Sequence, residues 1–180
     1  MTAAEPDARP RLVTPTFALV TASSLAYFLG YGMLLPVLPR FVERVLGGGG
    51  LAVGCTTGAF ALTAAALRPF AGRIGDARGR RVLVLGGSAI LALSYLLYLP
   101  VDALLPLIAL RVLSGVGEAA MFVGAATAIQ DLAPPARRGE AASYFSVAVY
   151  GGLGLGPPIG ELLQHHWGYD AVWTGAACVT

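Results

Sequence analysis

The chain has 180 residues, of which 56% are hydrophobic and 12% are charged, and its mean hydropathy is +0.71. Soluble domains are less apolar than this, so the composition predicts a protein embedded in a membrane. All twelve basic residues are arginine and the formal net charge is only +2, which excludes a nucleic-acid-binding surface.

A polar tail, residues 1–15, precedes five complete apolar stretches and the beginning of a sixth. The stretches cover about residues 16–38, 51–74, 82–100, 104–130, 140–163 and 169–180. Each complete stretch is long enough to cross a bilayer as a helix. The first has no Ala-x-Ala cleavage pattern at its end, so we predict a retained helix and not a signal peptide. The sixth stops at Thr180, which predicts a truncated helix.

The arginines predict how the chain is oriented, because connections rich in basic residues stay in the cytoplasm. They concentrate in the tail and in the connections after the second and fourth stretches, as Arg9, Arg11, Arg73, Arg78, Arg80, Arg81, Arg137 and Arg138. Tyrosine and tryptophan residues collect on the other side, as in an interfacial aromatic belt. The sequence therefore predicts a multi-pass protein of the plasma membrane with a cytoplasmic N-terminus.

The connection after the second stretch combines a carboxylate, a glycine turn and a cationic cluster. Its sequence is Gly72-Arg73-Ile74-Gly75-Asp76-Ala77-Arg78-Gly79-Arg80-Arg81. An ionised Asp76 can meet an arginine or the positive end of a helix, and Gly79 allows a turn that residues with a Cβ resist. Asp131, at the end of the fourth stretch, is predicted to pair with Arg80 or Arg81. On its own, the cluster could also be only a topological anchor.

The fourth stretch carries a lone arginine and a glutamate within apolar sequence. An arginine at a bilayer centre costs roughly 2.5 to 3.5 kcal/mol, so Arg111 is expected to face protein or a watery cavity. Spacing of four and then three places Arg111, Gly115 and Glu118 on one helical face. Arg111 and Glu118 are separated by about 10 Å of helical rise, so each is predicted to find partners on other helices. The alternative is that Arg111 is a purely structural tie.

Glycines recur at intervals of four in the fifth stretch, at Gly152, Gly156 and Gly160, and Pro157 follows the second of them. A glycine stripe lets a neighbouring helix approach closely, and a proline bends the helix axis. The sequence therefore predicts a helix–helix contact along this face. Such a stripe is also ordinary packing in membrane bundles.

These three segments resemble, in order, three motifs of the major facilitator superfamily: G-x-x-x-D-R-x-G-R-R, R-x-x-x-G-x-G-E-A and the antiporter-associated G-x-x-x-G-P-x-x-G-G. The first is matched by Gly72, Asp76, Gly79, Arg80 and Arg81, with Ala77 where the family has arginine. The second is matched by Arg111, Gly115, Gly117, Glu118 and Ala119. The third is matched by Gly152, Gly156, Pro157 and Gly160, with Glu161 in place of the last glycine.

The resemblance implies an all-α integral membrane fold, the six-helix amino-terminal half of a twelve-helix bundle with its sixth helix truncated. It implies that the first motif, helped by Asp131, closes the cytoplasmic gate without touching substrate. It implies that Arg111, and secondarily Glu118, take part in proton coupling. The third motif favours export over uptake.

We therefore predict a secondary active transporter that exports a drug-like or amphipathic small molecule by alternating access. The expected driving force is a proton gradient, with no cofactor. The expected partners are the lipid bilayer, the small-molecule substrate and a missing C-terminal half or second copy of the chain. Two alternatives stay open, an uptake symporter of the same fold and a non-transporting fragment that acts as a membrane partner.

Several other functions are excluded or weakly supported by the sequence. No glycine run is followed by Gly-Lys-Ser or Gly-Lys-Thr, so nucleotide binding is rejected. No nucleophile, histidine and carboxylate arrangement suggests an enzyme, and the adjacent His165 and His166 lack the spacing of a metal site. Tyr27 and Tyr31 form either a wall of the substrate cavity or simple packing. Cys55 and Cys178 lie in apolar stretches and are predicted to be buried.

Overall fold

A computed structural model describes residues 12–180 of the chain. Over that range the chain forms six α-helices joined by short connections, without a β-strand. The helices are α1 (Pro15–Arg44), α2 (Gly50–Arg78), α3 (Arg80–Leu96), α4 (Leu104–Leu132), α5 (Arg138–Trp167) and α6 (Tyr169–Val179), with a 3-10 turn at Pro135–Arg137. The predicted all-α class is thus confirmed. The tail arginines Arg9 and Arg11 lie outside the described residues, and their placement stays a prediction.

Helices α1 and α2 are longer than the apolar stretches that predicted them. Helix α1 continues to Arg44, and Pro36 and Pro39, which the sequence places at a boundary, lie inside the helix. Prolines are tolerated within membrane helices because neighbouring helices and polar side chains satisfy the carbonyl groups that they free. The boundary expected near residue 38 is therefore wrong by about one and a half turns, at 3.6 residues per turn.

The outer surface of the bundle is apolar. Leu51, Leu62 and Leu105 are 84%, 74% and 77% exposed, and an apolar surface of this kind suits lipid rather than water. Helices α1, α2 and α4 are long and apolar enough to cross a membrane, judged by length and composition. Cys55 and Cys178 are exposed, so the prediction of burial is wrong. A small apolar side chain has no need of the interior when the surface itself is apolar.

Helices α1 and α5 run in the same direction and touch through backbone atoms. A Cβ added to Gly156 would lie 2.6 Å from the Cα of Gly32, and one added to Gly160 would strike the backbone of Met33. Gly152 is also buried against α1. The glycine stripe of α5 therefore faces α1, and only residues without a side chain fit this contact.

Helix α4 packs on α3 and α2 through glycines of its own. A Cβ on Gly87 of α3 would lie 2.7 Å from the carbonyl oxygen of Gly117, so these two helices also approach closely. A Cβ on Gly115 would lie 2.8 Å from the carbonyl oxygen of Phe60 on α2. This second contact brings the polar residues of α4 within reach of α2.

The two ends of the bundle differ in composition. The end called here the basic end holds the start of α1, the α2–α3 turn and the α4–α5 connection, and it includes the arginines of residues 73–81 and 137–138. At the opposite end, Arg40 Nη2 lies 2.7 Å from Glu161 Oε1 and joins α1 to α5. That end also packs rings edge to face, as Phe41, Tyr95, Tyr98, Tyr169 and Trp173.

Replacement of Gly156 by alanine is expected to destabilise the bundle, since the added methyl meets the backbone of Gly32. Overpacking of this kind costs about 1 to 3 kcal/mol, which lowers the melting temperature by roughly 2 to 12 °C. The measurement is thermal unfolding of the detergent-solubilised chain. Gly154→Ala is the matched control, because a Cβ there meets nothing within 4 Å, and it should leave the melting temperature unchanged or slightly raised. Equal effects of the two substitutions would contradict the contact.

Candidate functional site

Three charged side chains lie well inside the ends of the long helices, within apolar sequence. They are Arg68 on α2 and Arg111 and Glu118 on α4. Charged groups in such a place need partners, because removing them from water is costly. Their contacts define the candidate site.

Arg111 is 2% exposed and is held by neutral groups. Its Nε donates to the carbonyl oxygen of Thr56 at 3.3 Å, and its Nη1 donates to the hydroxyl of Tyr98 at 3.4 Å. The guanidinium carbon lies 4.2 Å from the ring centroid of Phe60, in cation–π geometry. Among the described residues, no carboxylate lies within salt-bridge distance of Arg111. Arg111 therefore ties α4 to α2 and to the turn after α3.

Glu118 has an ionic partner, and that partner is Arg68. Arg68 Nη2 donates to Glu118 Oε1 at 3.1 Å, and the Arg68 guanidinium also lies 4.3 Å from the ring centroid of Phe122. The two partners differ in access, since the side chain of Glu118 is 8% exposed and that of Arg68 is 45% exposed. The second carboxylate oxygen of Glu118 is buried and makes no hydrogen bond within the described residues.

Arg68 and Glu118 line a cavity of about 230 Å³ between α1, α2 and α4. Its other walls are aromatic rings and alanines, namely Tyr27, Phe28, Tyr31, Phe60, Ala61, Ala64 and Ala65. The ring of Tyr31 is stacked between Tyr27, at 6.4 Å, and Phe60, at 5.0 Å. Tyr27 and Tyr31 thus pack on each other and line a cavity, and their role as a wall of the substrate cavity stays a prediction.

The predicted gate residues meet at the basic end. Arg80 Nη1 lies 2.6 Å from Asp76 Oδ1, and Arg80 Nε lies 3.0 Å from Asp131 Oδ2. The hydrogen bond to Asp76, followed by that to Asp131, raises the pKa of the Arg80 guanidinium above its ordinary value, so it stays charged. One arginine thereby connects the end of α2, the start of α3 and the end of α4. All three side chains are partly exposed, so solvent weakens each pair.

A single residue, Gly79, separates α2 from α3. Its φ of 92° is a conformation that residues with a Cβ rarely adopt, and its N–H donates to the carbonyl oxygen of Gly75 at 2.9 Å. Gly72 has open space around the position of a Cβ. Arg81 is exposed and, with Arg80 and Asp131, lines a cavity of about 610 Å³ between α1, α3 and α4.

Arg68 is the site residue that the sequence analysis missed. The signal was present, because Arg68 is a charged residue within the apolar stretch 51–74 and the same reasoning had singled out Arg111. Arg68 lies outside the three motifs from which the site residues were predicted. Helix α2 continues through Pro69 to Arg78, which places Arg68 well inside the bundle.

The fold and the site define an apolar bundle of helices suited to a membrane, with charged groups and aromatic rings around a cavity at mid-depth. Residues 20–180 match the family described as Major Facilitator Superfamily, and the chain belongs to that family. The resemblance inferred from the three motifs is thus confirmed. Members of this family are multi-pass membrane proteins, and the long apolar helices of the chain agree with that class.

Similar proteins include two named for drug resistance. The chain is 30% identical over 148 residues to Multidrug resistance protein 1 of Bacillus subtilis, a match that covers 82% of this chain and 38% of that protein. It is 29% identical over 136 residues to Quinolone resistance protein NorA of Staphylococcus aureus, covering 76% of this chain and 35% of that protein. The chain therefore matches little more than a third of the length of these relatives.

Removal of the Tyr98 hydroxyl is expected to weaken the bundle, because that hydroxyl accepts from Arg111 and lies 3.2 Å from Ser114 Oγ. A hydrogen bond to a charged group contributes about 1.5 to 3 kcal/mol. Tyr98→Phe should therefore lower the melting temperature of the solubilised chain by roughly 3 to 12 °C. Tyr150→Phe is the control, since Tyr150 is 73% exposed. If both substitutions leave the melting temperature unchanged, Tyr98 does not hold Arg111.

Proposed function

We propose that the chain is part of a secondary transporter that exports a drug-like small molecule. The observation that carries this proposal is the cavity beside Arg68 and Glu118, which offers charged groups and aromatic rings at mid-depth of an apolar bundle. Transporters of inverted or parallel repeats bind substrate near the bilayer midplane. The names of the two relatives refer to resistance to multiple drugs and to quinolones. They support drugs as the substrate class, and resistance is the result expected of export.

We further propose that a proton gradient drives transport by alternating access. Of the two predicted coupling residues, Glu118 borders the cavity and can take up a proton, whereas Arg111 is enclosed and holds helices together. Protonation of Glu118 would remove the negative charge that holds Arg68. The proton and the substrate would thereby act on the same ion pair.

The remainder of the pathway would come from a second helical unit, since the chain matches 38% and 35% of the length of its two relatives. That unit is either further sequence or a second copy of the chain. We place the whole in the plasma membrane with the basic end in the cytoplasm, as the arginine distribution favours. Asp76, Arg80 and Asp131 would then form a gate on the cytoplasmic side.

Proton-coupled uptake is a second candidate, and the exposure of Arg68 favours it. When Glu118 is neutral, Arg68 loses its ionic partner and can bind an anionic substrate. Proton and substrate would then strengthen each other's binding, as a symporter requires. Export by exchange instead requires that proton and substrate compete.

Inside-out membrane vesicles decide between the two directions. Vesicles that contain the transporter, with an acidic interior, should accumulate a radiolabelled quinolone if the protein exports it in exchange for protons. Glu118→Gln should abolish the dependence on the proton gradient, while Arg44→Gln, an exposed change at the opposite end, should preserve it. Accumulation only in right-side-out vesicles would contradict export and support uptake.

The gate can be tested by exchanging charges. Arg80→Asp or Asp131→Arg alone should reduce transport severalfold, because each places like charges next to one another at the basic end. The double variant restores opposite charges, since the new arginine at 131 faces both Asp76 and the new carboxylate at 80, so transport should recover. Pairing Asp131→Arg with Arg44→Asp is the control and should give no recovery. If the double variant transports no better than the singles, Arg80 and Asp131 do not act as a pair.

A further inference from the structure

The cavity at mid-depth exposes a positive charge and hides a negative one. The side chain of Arg68 is 45% exposed, whereas that of Glu118 is 8% exposed and its free oxygen is inaccessible. A ligand that enters the cavity therefore meets the guanidinium before the carboxylate. This difference in exposure favours a ligand with a negative charge.

Arg68 also keeps most of its hydrogen-bonding capacity. A guanidinium has five N–H donors in one plane, and the one hydrogen bond that Arg68 makes within the described residues runs from Nη2 to Glu118. Phe122 covers a face of the guanidinium and leaves its edges open. Free donors in a fixed plane match the two oxygens of a carboxylate.

The charge balance in the interior points the same way. Arg68 and Arg111 are positive and Glu118 is negative, so these three side chains carry one positive charge in excess. Arg111 has only neutral partners among the described residues. An anion in the cavity would offset this excess, whereas a cation would increase it.

The remaining walls fit an aromatic body. Tyr27, Tyr31 and Phe60 present a stacked series of rings along the cavity. Aromatic rings favour offset-stacked or edge-to-face contact with other rings. The volume of about 230 Å³ is below the roughly 300 to 1,000 Å³ of sites for drug-sized ligands, so the part of the site formed by this chain suits one small ring system of a ligand.

We propose that this cavity binds aromatic carboxylates and that Arg68 holds the carboxylate. The proposal deepens the transport function proposed above and rests on it. Because a neutral Glu118 would strengthen anion binding, it agrees with the uptake candidate and not with exchange. Binding occurs between the free N–H donors of Arg68 and the carboxylate, with the ring of the ligand against the edge of Tyr31, whose faces are stacked on Tyr27 and Phe60. Glu118 acts as a competing internal carboxylate that keeps Arg68 in place when the cavity is empty.

Binding of a matched set of ligands tests the proposal. Tritiated naphthoate is bound to the detergent-solubilised full chain at neutral pH and is competed with unlabelled naphthoate, naphthamide or naphthylmethylamine. These share the ring system and carry a negative, a neutral and a positive group. Naphthoate should compete at least about tenfold more strongly than the other two, the value expected when one charge-assisted hydrogen bond is lost. Equal or stronger competition by the amine, or absence of saturable naphthoate binding, would overturn the proposal.

Variants then assign the effect to Arg68. Arg68→Gln should weaken naphthoate binding at least about tenfold, and Arg68→Lys should have a smaller effect because it keeps the charge without the planar fork. Glu118→Gln should strengthen naphthoate binding by releasing Arg68. Arg44→Gln removes an equal charge from an exposed position and should change nothing. Unaltered naphthoate binding in Arg68→Gln would contradict the assignment.

The proposal stays testable if a variant misfolds, and its failure differs from failure of the transport function. If Arg68→Gln does not fold, as judged by circular dichroism, the ligand series on the unmodified chain and the Arg68→Lys variant still decide the question. Binding is measured without transport, so it separates the two proposals. Vesicles that fail to transport while naphthoate binds would refute only the transport function. Transport of an aromatic drug that carries no carboxylate, by a chain that does not bind naphthoate, would refute only the aromatic carboxylate site.

Discussion

The cost of placing charge in an apolar bundle is the constraint on which the site depends. Because lipid and apolar side chains surround the middle of the helices, every charged group there must be held by other protein groups. Arg111 meets this requirement with a carbonyl, a hydroxyl and a ring, and Glu118 meets it with Arg68. The first arrangement is fully enclosed, while the second borders a cavity. This difference separates a structural tie from a group that a ligand can reach.

Close helix packing brings these charges together. Helix α4 approaches α2 at Gly115, between Arg111 and Glu118, so side chains on both helices meet across a short distance. The glycine stripe of α5 has a different result, since it joins α5 to α1 and leaves the other side of α1 for the cavity. Small residues thus determine which helix faces are closed by backbone contact and which stay available to a ligand.

Sequence patterns predicted the helical class, the family and the residues of three motifs, because apolar length, glycine spacing and isolated charges are local features. The pairing of Asp131 with Arg80 was predictable because the end of α4 and the start of α3 were both predicted to lie on the cytoplasmic side. Arg68 was missed because its partner is 50 residues away, and a single sequence without a helix arrangement does not show which charges are neighbours. The internal prolines of α1 were placed at a boundary because the polar residues after them resemble a connection.

The α2–α3 turn consists of Gly79 alone, and this brevity limits the ways in which the basic end can move. A connection of one residue has no slack, so α3 cannot slide along α2 or swing away from it by rearranging a loop. A displacement of Arg80 therefore moves α2 and α3 together as rigid helices, or it rotates the two backbone dihedrals of Gly79. If Asp131 moves, Arg80 moves with it, and α2 would therefore tilt as a whole without local unfolding near Gly79.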